Sequence, residues 1–69
     1  MNSPEQGPAL DLLNIKDTAT LIGVPESTLR YWRLHGKGPR SARIGGRIAY
    51  RKEEVIAWVD EQFDQAGAK

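Results

Sequence analysis

The chain contains no cysteine, which rules out a disulfide framework and a thiolate metal site and fits a reducing compartment. Its single histidine, His35, has neither a cysteine nor a second histidine to complete a metal ligand set. No apolar run is longer than a few residues, which excludes a membrane-spanning helix. The start, MNSPEQGPAL, lacks the basic-then-apolar order of a secretory signal. No nucleophile–base constellation is evident either, because the positions of Asp17, Glu53 and Glu54 are explained by helix-start chemistry. With 69 residues the expectation is one small module with a thin core, intracellular and soluble, with no enzymatic activity, cofactor or membrane partner.

What is present is a strong segregation of charge. Eight of the ten lysines and arginines fall between Arg30 and Lys52, a stretch with no aspartate or glutamate. The preceding 29 residues set one lysine against four acids, and the following 17 set one lysine against five. The net charge of +1 therefore conceals a basic block with acidic flanks. That pattern suits a protein that lays one face on a polyanion, and nucleic acid is the leading candidate.

Pro4, Gly7 and Pro8 mark residues 1–11 as a disordered arm, and residues 64–69 read as a frayed tail. The ordered domain is expected over residues 12–63. Asn14 is a good N-cap, Asp17 is placed for a variant capping box, and Ile15, Thr18, Ala19 and Ile22 share one helical face. Gly23 ends that helix. A second helix opens at Pro25 or Glu26 and runs to about His35, with Leu29 and Trp32 turned inward. Its other face carries Ser27, Arg30, Tyr31 and Leu34. Leu34 is out of place there: it can meet a thymine methyl, meet a partner protein, or simply be exposed.

Residues 42–50 alternate around Gly45-Gly46, which signals a β-hairpin. A three-residue loop, Gly45-Gly46-Arg47, would pair Ile44 with Ile48 and Ala42 with Tyr50, giving one apolar face and placing Arg47 at the tip. A third helix starts near Arg51 or Lys52, with Val55, Ile56, Trp58, Val59 and Phe63 as its apolar stripe.

Helix, glycine turn, helix, hairpin, helix is the order of a winged helix-turn-helix: mainly α, three helices plus a small hairpin wing. On that layout the second helix reads the major groove, where each base pair shows its own donor and acceptor pattern. Arg30 and Tyr31 are then base or phosphate contacts. Ser27 and Thr28 either touch DNA or serve helix-start chemistry. Arg47 and Arg43 on the wing grip the minor groove or its phosphates, and Lys37 and Arg40 are sequence-blind phosphate contacts. Trp32 and Trp58 lie on apolar stripes and are assigned to the core rather than to base stacking.

The string from Leu13 to Arg33, LNIKDTATLIGVPESTLRYWR, resembles the excisionase and MerR-like winged-helix DNA-binding families. So do the wing Arg43-Ile44-Gly45-Gly46-Arg47 and the final helix from Arg51 to Trp58. Asn14 and Asp17 replace the family's Thr or Ser and its Glu, and Pro25 stands where Ser often caps the second helix. The resemblance implies a sequence-specific double-stranded DNA-binding protein in a bacterial cytoplasm. It would be an excisionase-type recombination directionality factor that binds tandem sites beside copies of itself, bends DNA and steers a site-specific recombinase toward excision. The alternative is a small AlpA-like transcriptional regulator at a promoter operator, and a less favoured one is an adaptor that binds an acidic protein.

Overall fold

The computed structural model describes residues 11–67, in the order β1 (Leu12–Leu13), α1 (Ile15–Ile22), α2 (Glu26–Leu34), β2 (Ala42–Ile44), β3 (Arg47–Arg51) and α3 (Lys52–Gly67). Three helices and a small antiparallel hairpin make the expected winged helix-turn-helix.

Local chemistry sets the helix ends. The Asp17 N–H donates to Asn14 Oδ1 at 2.7 Å, which starts α1, and Gly23 closes it in the left-handed region at φ 92°. Pro25 occupies the N-cap of α2 and contributes no side-chain bond, because it has only a fixed φ to offer. At the other end of α2, the Lys37 N–H reaches Trp32 O at 2.7 Å and the Gly36 N–H reaches Arg33 O at 3.4 Å. With Gly36 at φ 66° this is a Schellman stop, and it turns the chain sharply out of the helix.

The core is Ala19, Leu29, Tyr50 and Val55, walled by half-buried side chains that include Leu13, Ile22, Trp32 and Ile48. The half-buried Trp32 and Trp58 rings meet at 5.3 Å between centroids, joining α2 to α3 at the side of the core. Thr18 is fully buried with its hydroxyl donating to Asn14 O at 2.7 Å, so it costs no unsatisfied group.

The sheet departs from expectation in two ways. Leu12 and Leu13 form a third strand paired with Arg51 and Tyr50, giving the order β1-β3-β2. The Lys52 N–H also donates to Asp11 O at 3.1 Å, fastening the start of β1 to the start of α3. The hairpin, moreover, has a two-residue loop: Ile44 pairs with Arg47, Arg43 with Ile48 and Ala42 with Ala49. Gly45 at φ 59° and Gly46 at φ 81° both take left-handed conformations, as a type I′ turn requires, and that turn matches the strand twist. Turn geometry thus outweighs the gain of a single apolar face. Ile44 lies on the outer surface at 52% exposure while Ile48 packs on the core, and Arg47 is the first residue of β3 rather than the hairpin tip.

The third helix is longer than expected and less buried. Residues 64–67, expected to fray, continue α3 to Gly67, since Asp64, Gln65 and Ala66 include no helix breaker. From Asp60 onward α3 is exposed, and Ile56 and Phe63, expected in the apolar stripe, face outward. The body they would cover is already filled by Val55, with Trp58 and Val59 half-buried. Residues 1–10 of the expected N-terminal arm, and residues 68 and 69, lie outside the described residues.

Candidate nucleic-acid interface

The glycine stop after α1 and the Schellman stop after α2 fix where α2 points. Its inner face is anchored by buried Leu29 and half-buried Trp32, which leaves Ser27, Arg30, Tyr31 and Leu34 exposed together on the outer face. Thr28 is half-buried on the flank. Tyr31 and His35 stack one turn apart, ring centroids 4.2 Å apart and tilted by 39°, which restricts the Tyr31 ring on the open face.

The tertiary structure joins α2 to the wing. Arg30 of α2 and Arg47 of β3 line one open groove of about 340 Å³, together with Lys16 of α1 and Ile48. Lys16 was not singled out in the sequence, because it lies outside the basic block and only the fold brings it beside Arg30 and Arg47. Three cations in one concavity concentrate positive potential where a phosphate backbone would pass. Glu26 shares this groove and pairs with Arg30 one turn away at 3.5 Å. Both side chains are solvated, so the pair contributes roughly 0–1 kcal/mol and is readily exchanged for a base edge or phosphate.

The other expected contacts divide. Lys37 is exposed and lines a second groove with Arg33 and Arg40 below the C-terminal end of α2. Arg43 folds over the turn, its Nη1 donating to Gly46 O at 3.5 Å, at the far edge of that bond's range. Arg40 pairs with an acid of α3. Its guanidinium makes a bidentate contact with Glu54 at 3.2 and 2.9 Å, and Arg51 approaches the same carboxylate at 3.6 Å. Arg40, expected as a phosphate contact, thus ties the loop to the first turn of α3 while its side chain stays 76% exposed.

Tyr50 lies fully inside, 1% exposed. Burial raises its phenol pKa above the ordinary value of 10.0, partly opposed by Ser41 and by the positive charge of Arg33. Ser41 lies near enough to exert that influence, yet no hydrogen bond of acceptable geometry forms, and the Tyr50 hydroxyl has no protein partner.

An exposed helix carried on a helix-turn-helix, a two-glycine wing beside it and a cationic groove between them define a DNA-binding module of the winged helix-turn-helix class. The chain belongs to the helix-turn-helix domain family, whose pattern it matches over residues 12–62. It is also similar to the transcriptional repressor DcmR of Methylorubrum extorquens (strain DSM 6343 / CIP 106787 / DM4), 38% identical over 58 residues. That match takes in 81% of this chain and 22% of the relative's length, so the chain spans about a fifth of the protein it resembles. No helix among the described residues is long and apolar enough to cross a membrane.

Proposed function

We propose that this domain binds a specific double-stranded DNA sequence, without catalysis, and regulates transcription from the promoter that contains it. α2 lies in the major groove, Arg30 contacts base edges, Ser27 and Tyr31 contact bases or phosphates, and Thr28 contributes from the flank. Arg47, Arg43, Lys37 and Lys16 hold the backbone. The observation that carries this reading is the shared groove of Arg30, Arg47 and Lys16, a cationic seat continuous with the open face of α2. The regulatory half of the reading is supported by the similarity to a repressor. A cytoplasmic location in a bacterial cell goes with it.

A second reading keeps the same contacts and places the site beside a recombinase attachment sequence. There the protein acts as an excisionase-type architectural factor with neighbouring copies of itself and a site-specific recombinase. It rests on the resemblance of residues 12–63 to that family. One module of this size buries only about 600–1,000 Å² on DNA, so tight occupancy would need neighbours on adjacent sites.

The deciding experiment is selection of random duplexes by the purified protein, followed by gel shift. Enrichment of a single or palindromic site supports the promoter regulator. Short direct repeats with stepwise cooperative shifts support the architectural factor. For about five neutralised phosphates, log K should fall against log salt with a slope of roughly −4 to −5. Absence of any enriched duplex, with salt-sensitive binding to an acidic protein, would move the assignment to an adaptor.

A further inference from the structure

Leu34 is 78% exposed, the most open large apolar side chain among the described residues. It is the last residue of α2 and shares a face with Ser27, Arg30 and Tyr31, while the core is served by Leu29 and Trp32 on the opposite face. A lone exposed leucine is ordinary on a protein surface. This one is set apart by its surroundings. The half-exposed Tyr31 ring, restricted by His35, lies one turn before it, Arg30 shares its face, and Arg33 and Lys37 are close to it in sequence.

Two side chains make too small an apolar patch to dock a protein, which calls for several hundred Å² of contiguous surface. The surface that matches isolated apolar points within dense positive charge is the DNA major groove, where thymine alone presents a methyl group among phosphates.

We infer that Leu34, assisted by Tyr31, selects thymine by packing on its 5-methyl group, within about two base pairs of the base contacted by Arg30. This rests on the DNA-reading role of α2 proposed above. The spacing follows from geometry. Four residues along a helix advance about 6 Å, close to two base-pair rises of about 3.4 Å. Leu34 is then a specificity residue with no part in holding the fold.

The test uses the full chain and its selected duplex. Each thymine in the site is replaced in turn by deoxyuridine, which removes the methyl and leaves base pairing intact. The expected result is one or two positions where Kd rises on the order of fourfold, the effect of one buried methyl. Leu34→Ala should weaken binding to the thymine duplex, leave the circular dichroism and melting temperature unchanged, and bind thymine and uracil duplexes equally at the sensitive position. Insensitivity of the wild-type protein to every deoxyuridine, or a uracil penalty that persists in Leu34→Ala, overturns the inference while DNA reading by α2 stands. Failure to enrich any duplex overturns both.

Discussion

Arg40 grips both carboxylate oxygens of Glu54, at 3.2 and 2.9 Å, across fourteen residues of sequence. The pair joins the loop after α2 to the first turn of α3, where a carboxylate is already favoured by the helix dipole. The Arg40 side chain nonetheless stays 76% exposed, so its part in DNA binding is open to measurement.

Arg40→Ala removes this pair alone, whereas Glu54→Ala also removes the Arg51 contact at 3.6 Å and a favourable charge at the helix start. Arg40→Ala is expected to lower stability by about 0.5 kcal/mol, the scale of a solvated but bidentate pair, and Glu54→Ala by about 1 kcal/mol. Urea denaturation measures this. The salt slope of DNA binding should stay the same in Arg40→Ala. A slope smaller by about 0.9 would instead place Arg40 on a phosphate.

Lys16→Ala and Arg47→Ala are expected to weaken binding to selected and random duplexes equally, each reducing the salt slope by about 0.9. Arg30→Ala should cost about 1–3 kcal/mol on the selected site and blur the base preference at one position. Titrations at several salt concentrations on both duplexes separate the two behaviours. If Lys16→Ala binds like the parent protein, the groove formed with Arg30 and Arg47 is not where the backbone runs.

Gly38 and Gly36 offer a contrast within one loop. A Cβ on Gly38 would stand 2.9 Å from Cε3 of Trp32 and 3.2 Å from its Cβ, in a backbone already at φ 77°. Gly36, at φ 66°, has open space around it. Gly36→Ala should then lose about 1 kcal/mol from backbone strain alone. Gly38→Ala should lose at least about 1 kcal/mol more, since Trp32 must move. Equal melting temperatures for the two variants would contradict this packing.

Tyr50→Phe removes a buried hydroxyl that has no protein partner, so at neutral pH stability should be unchanged or up to about 1 kcal/mol higher. The parent protein should also lose stability in alkali. The folded state holds the phenol proton more tightly than the unfolded chain does, so stability is complete below the ordinary value of 10.0 and falls as pH rises through the elevated folded pKa. Tyr50→Phe should lack that part of the decline, and chemical denaturation at stepped pH compares the two. A large loss in Tyr50→Phe at pH 7 would mean that the hydroxyl is well bonded.

Much of this was legible in the chain because the signals were local. Asn14 starts a helix by satisfying an N–H within its own first turn, and Gly23 and Gly36 end helices because left-handed backbone costs them little. Leu29 and Trp32 are inward by periodicity alone. The hairpin register was misread because apolar alternation and turn geometry gave opposite answers, and two glycines in succession favoured the turn. The strand of Leu12 and Leu13 gave no signal, since two residues show no period and their pairing with Tyr50 and Arg51 spans most of the chain.

Sequence by itself determined the helix-turn-helix order, the outward face of Ser27, Arg30, Tyr31 and Leu34, and the confinement of positive charge to one block. Each follows from spacing along a single element or from composition. Only the tertiary structure decided which cations act together. Packing against the core brings Lys16 beside Arg30 and Arg47, while Glu54 captures Arg40. Charge along a chain adds without regard to position, but potential in a groove depends on distance. Distances between elements are set by how α1, α2 and the wing close around Leu29, Tyr50 and Val55.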